Sequence, residues 1–258
     1  MSKKRTVLFT VLILVAFALL LALEVFKKYI FGGAKLGETL YMISTRYLGG
    51  VIAIVLVSKY LGKDVIIPVF SKRGLLIIIP CFLVAINNFP FISYISGDAY
   101  IDSSIDRAII LVFLCLGVGF FEEILFRGCI FVAILKRFGN TKASLFISLT
   151  ISSAIFGATH LLNLIGGGGG EVILQVGYSF LTGAMFSFVL IMSGNIWYSV
   201  LLHAIYNFCG SAVPTLGGGI IWNTPTVILT AVLAVAVTVY CAWVFVKTDL
   251  EDMFTFNR

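Results

Sequence analysis

The chain has 258 residues, 60% of them hydrophobic and 12% charged, with a mean hydropathy of +1.09 and a formal net charge of +6. A soluble domain of this size could not hide that much apolar surface, so composition excludes one and indicates an all-α, polytopic transmembrane helix bundle. The apolar stretches are continuous and do not alternate with period two, which argues against a β-barrel.

At the usual ~20 residues per crossing, about eight spans are expected. In chain order they run from Thr6 to Leu23, Thr39 to Val57, Gly74 to Ile95, Ala108 to Leu135, Ala143 to Leu164, Val172 to Met192, Ile196 to Val213 and Val227 to Val246. Lys3, Lys4 and Arg5 make the first resemble a signal peptide. Its long apolar run and the poor cleavage site at Leu21-Ala22-Leu23 favour a retained anchor. Asn87, Asn88 and Pro90 interrupt the third and predict a break near its end. The fourth is overlong, roughly 42 Å at 1.5 Å per residue, so it must tilt or protrude. Five consecutive glycines, Gly166 to Gly170, predict a flexible connection after the fifth span.

With an even number of spans both ends lie on one side. Lys3, Lys4, Arg5, Lys59, Lys63, Lys72, Arg73, Lys136, Arg137, Lys142, Lys247 and Arg258 fall on that side, against Lys27, Lys28, Lys35 and Arg107 on the other. The positive-inside bias predicts a cell-membrane protein with both termini cytoplasmic. Topology and anionic lipid account for the net charge, which is no argument for nucleic acid. Cys81, Cys115, Cys129, Cys209 and Cys241 are scattered and odd in number. They read as packing residues, with neither a disulfide framework nor a thiolate metal site.

Glu122, Glu123 and Arg127 are the only charges between Ala108 and Leu135. Ionised groups at bilayer depth are costly and normally functional. The only two histidines, His160 and His203, also fall within predicted spans. Isolated polar groups would each need a partner in a medium that supplies none, so these residues are expected to meet at one point. Glu123 and Arg127, at i and i+4, share a helix face in the favoured order for an ion pair. Glu122 is rotated by about 100° and is left facing another surface, taken to be the one that carries His160 and His203. Phe156 and His160, and likewise His203 and Asn207, are paired at helical spacing.

Glu122-Glu123-Ile-Leu-Phe-Arg127 reads as EExxxR, Phe156-Gly-Ala-Thr-His160 as FxxxH, and His203-Ala-Ile-Tyr-Asn207 as HxxxN. In that order these resemble the three motifs of the CPBP family of intramembrane proteases. That family includes the type II CAAX prenyl endopeptidases and the bacterial Abi proteins linked to bacteriocin processing and immunity. The resemblance covers residues 105–214 and implies a four-helix catalytic core there. Three transmembrane helices would precede it in residues 1–104, and a last helix with a cytoplasmic tail would follow in residues 215–258.

The resemblance implies hydrolysis of a peptide bond in a membrane-associated peptide or protein. By carry-over, Glu122 would activate water, His160 would help hold it, and His203 with Asn207 would stabilise the oxyanion. Glu123, Arg127 and Phe156 would support the site. Glu122, His160 and His203 are also a possible catalytic zinc set. A zinc mechanism would leave no free carboxylate base, because Glu123 is tied to Arg127, so no cofactor is the preferred expectation. A non-catalytic scaffold or immunity protein is the alternative, and a proton-coupled transporter follows it; no inverted repeat supports the transporter. Substrate and oligomeric state are not readable.

Overall fold

The computed structural model describes residues 30–164 and 169–254, with scattered positions between 8 and 26. The predicted first span and Gly166 to Gly168 lie largely or wholly outside the described residues. The described residues are mostly helical, and six of their helices are long and apolar enough to cross a membrane.

Helix α1 (Lys35–Leu56) widens into a π-type turn, Val57–Leu61, which ends at Gly62, whose φ of 110° suits a residue without a Cβ. α2 (Lys72–Asn87) starts at Ser71, whose hydroxyl accepts the Gly74 N–H at 3.1 Å. It spans 16 residues, where the sequence predicts a run to Ile95. The break falls on the three residues expected to make it. Asn87 donates to Thr230 Oγ1 at 3.1 Å and Asn88 to the Tyr206 carbonyl at 2.8 Å, and Pro90 opens the short α3 (Phe91–Ile95).

Strand β1 (Ala99–Ile101) leads to α4 (Ile105–Glu123), a π-type segment (Ile124–Phe131) and α5 (Val132–Phe138). Together they form one 34-residue helical element. α6 (Lys142–Thr159) tightens into a 3₁₀ turn, His160–Leu164. α7 (Glu171–Ser193) and α8 (Ile196–Leu216) follow, then strand β2 (Gly217–Gly219) and α9 (Thr224–Lys247). β2 pairs antiparallel with β1 and closes one end of the bundle. There the Asn223 amide and the Ser96 hydroxyl donate to Asp98, which holds its carboxyl below the usual range.

The opposite end is basic. Lys136 donates to the Leu61 carbonyl, Lys142 to that of Val246, and Arg73 pairs with Asp252. The Phe254 N–H reaches the Ile191 carbonyl at 2.8 Å. These contacts gather at one end several of the lysines and arginines that the sequence places on one side.

The core is built by close backbone approach, as in membrane bundles generally. A Cβ on Gly119 of α4 would lie 2.8 Å from the Val200 carbonyl and 3.0 Å from the Ala204 nitrogen of α8. α9 is held largely along α2. Tyr240 donates to the Ile77 carbonyl at 3.0 Å, and the sulfurs of Cys81 and Cys241 lie 3.9 Å apart. Two cysteines 160 positions apart in sequence, read as plain packing, are therefore neighbours. Mild oxidation of membranes with copper-phenanthroline should crosslink Cys81 to Cys241. The linked peptide should appear by mass spectrometry and vanish in Cys241→Ser. Failure to crosslink while other thiols oxidise would contradict this packing of α9 on α2.

Candidate active site

Glu122 and Glu123 end the regular part of α4, where the winding widens. A π-type stretch is uncommon and often marks a functional position. Seven of its eight residues are buried, so protein surrounds it on nearly every side. Ser152 of α6 donates to the Phe126 carbonyl at 2.9 Å within this stretch.

Glu123 and Arg127 are fully buried and joined at 2.9 Å. The guanidinium uses its other nitrogens on α7: Nη2 donates to the Gly183 carbonyl at 2.7 Å, and Nε to Ser187 Oγ at 3.4 Å. Its carbon sits 4.8 Å from the Phe156 ring centre and 5.3 Å from that of Phe186. Hydrogen bonds and aromatic faces together compensate a charge that would otherwise be prohibitive at this depth. Close approach of α7 depends on Gly183, where a Cβ would lie 3.0 Å from Arg127 Nη2.

His203 of α8 donates through Nδ1 to Glu123 Oε1 at 2.7 Å. A carboxylate only accepts, so Nδ1 carries the proton and Nε2 is the atom left to act. Nε2 lies 3.8 Å from Glu122 Oε2, beyond hydrogen-bond length. His203 therefore stands between the two carboxylates, and its firm partner is Glu123. The sequence leads one to expect Glu123 to serve Arg127 alone; Oε1 serves both. The other oxygen, Oε2, is buried without a hydrogen-bond partner among the described residues. Phe186 stacks on the imidazole, with ring centres 4.7 Å apart and planes 22° apart. Glu122, with its side chain 19% exposed, is the accessible carboxylate of the pair.

His160 begins the tightened turn after α6 and is half-buried, with Nδ1 3.0 Å from the Phe156 carbonyl. The only acceptor there is the carbonyl, so Nδ1 donates and Nε2 remains free to accept. Counted along straight helices, His160 would lie deeper than His203. Phe156 links them: its ring stands edge-on to both imidazoles, at 5.1 Å from His160 and 5.8 Å from His203. Asn207 lies one turn beyond His203, half-buried, and its side chain forms no hydrogen bond among the described residues.

Gly183, Phe186 and Ser187 were not picked out by sequence reasoning. Gly183 and Ser187 form a small-xxx-small pattern on α7, which marks close helix approach and was a usable signal. Phe186 carries none, because it sits in a uniformly apolar run.

The fold and site define a class: a polytopic helical membrane protein in which two carboxylates, His203 and an arginine meet inside the bundle, while His160 touches the Phe156 ring that also contacts His203. Residues 104–209 match the family model described as Rce1-like, type II CAAX prenyl endopeptidase Rce1-like. The match includes all three motifs and agrees with the resemblance that they carry. No curated protein and no solved structure matches the chain.

Proposed function

We propose that this protein is an intramembrane endopeptidase in which Glu122 is the general base. The observation that carries this reading is the division of labour between adjacent carboxylates. Glu123 is committed to Arg127 and His203, whereas Glu122 is accessible and has no hydrogen-bonded partner at Oε2 within 3.5 Å. Glu122 would take a proton from water as the water oxygen attacks the carbonyl carbon of the scissile bond. It would then pass that proton to the amide nitrogen as the C–N bond breaks, leaving a carboxylic acid and an amine, which exchange the remaining proton to end as carboxylate and ammonium. His160 Nε2 would accept from the same water. The oxyanion would be met by Asn207 and by His203 Nε2. As a donor, Nε2 must carry a second proton, and Glu123 on the far side of the ring offsets that charge.

A zinc held by Glu122, His160 and His203 would leave no free carboxylate base, since Glu123 is committed to Arg127 and His203. Glu122, His160 and His203 are therefore assigned to handling water, and no step is routed through zinc. Chelation should leave activity unchanged. Stoichiometric zinc in active protein, with activity lost to chelation and regained on adding zinc, would overturn that assignment.

The substrate class is a membrane-associated peptide or protein, and the enzyme works in the bilayer with both termini cytoplasmic. Peptide termini in membranes from cells that express the wild type or Glu122→Gln at equal levels test the reading. Termini present only with the wild type support it. Identical sets would favour the scaffold alternative.

A further inference from the structure

Behind α7, on the face turned away from Arg127, lies a cleft of about 710 Å³. Phe146 of α6, Met185 of α7, and Leu233, Val237 and Phe245 of α9 form its apolar wall. None of Glu122, His160, His203 or Asn207 lines it. The cleft exists because α9 leans on α2 through Tyr240, Thr230 and Cys241 but meets α6 mainly at its basic end, through Lys142 and Val246. The outer face of α9 is exposed at Val232, Val235, Val239 and Trp243 and turns toward the bilayer.

Such a cleft is not left empty in a membrane. Water would need two to four polar partners per molecule, and the wall supplies few. A void would forfeit the dispersion contacts of its lining. At the basic end, Lys142 lines the cleft and spends one donor on the Val246 carbonyl at 3.1 Å. An ammonium has three donors, so two remain for an anion. Lys136, Arg137 and Lys247 lie in the last turns of α5 and α9, at the same end.

We propose that this cleft is a binding site for an anionic glycerophospholipid of the bilayer. Its acyl chain lies between α9 and the α6–α7 pair, and its phosphate sits at Lys142. The site is separate from the catalytic group and does not depend on the protease reading.

The purified chain, in a detergent that preserves its melting temperature, is titrated with phosphatidylglycerol and with phosphatidylcholine and weighed by native mass spectrometry. One phosphatidylglycerol per chain should be retained in preference to phosphatidylcholine. Lys142→Gln should weaken phosphatidylglycerol about fivefold, the order expected for one lysine at an anionic headgroup, and leave phosphatidylcholine unchanged. Ala234→Phe, which fills the cleft from α9, should abolish retention of both; its melting temperature in the same detergent verifies folding. Equal retention of the two lipids, or a Lys142→Gln protein indistinguishable from wild type, would overturn the proposal, as would a dimer that carries no lipid.

Discussion

Glu122→Gln should lower turnover by about 10²–10⁴-fold, the usual contribution of a general base, with stability changed by less than about 1 kcal/mol. The substitution keeps size and polarity and removes only the ability to take a proton. Little structure depends on the charge, since its one ion-pair partner among the described residues, His203 Nε2, stands 3.8 Å away and the side chain is 19% exposed. The measurement is the rate of appearance of Glu122-dependent termini, beside the melting temperature in the same detergent. Wild-type rates in Glu122→Gln would end the catalytic assignment. A collapse in stability would instead mean that Glu122 holds helices together.

Glu123→Ala should behave in the opposite way, with a loss of about 3–5 kcal/mol of stability. Removing one partner of a buried ion pair strands the other charge. Arg127 would keep the Gly183 carbonyl and two aromatic faces but lose the carboxylate at 2.9 Å. His203 would lose its partner at the same time. The double substitution Glu123→Gln with Arg127→Met should recover much of the stability, because nothing charged is then left unpaired. It should not recover activity, since His203 would no longer be held by an anion. A stable, fully active Glu123→Ala would show that neither contact matters. Full activity in the stable double variant would reduce Glu123 to a purely structural role.

The local geometry of the site was readable from spacing. A Glu and an Arg four apart on a helix face one another whatever surrounds them, and they pair at 2.9 Å. The helical spans were readable for a similar reason: a bilayer requires long apolar segments with internally satisfied backbones. Even the break at Asn87, Asn88 and Pro90 was visible. Contacts between helices were not, because they depend on how closely backbones approach and at what rotation. His203 faces Glu122 at 3.8 Å, as the spacing suggests, but its hydrogen bond goes to Glu123 at 2.7 Å. Gly119 lets the Val200–Ala204 turn of α8 lie against α4, where a Cβ would meet backbone at 2.8 Å.

By itself, the sequence determined that this is a helical membrane protein, which residues carry its buried charge, and that Glu123 and Arg127 belong together. Composition and one-turn spacing are local properties, and the bilayer acts on them directly. Only the tertiary structure decided which carboxylate His203 holds and that Phe156 joins the two histidines. It also decided that Cys81 meets Cys241 and that α9 stands off from α6 and α7 to leave a cleft. Each of these depends on the distance between helices remote in sequence, which is set by small residues at crossings and by where a helix widens or ends.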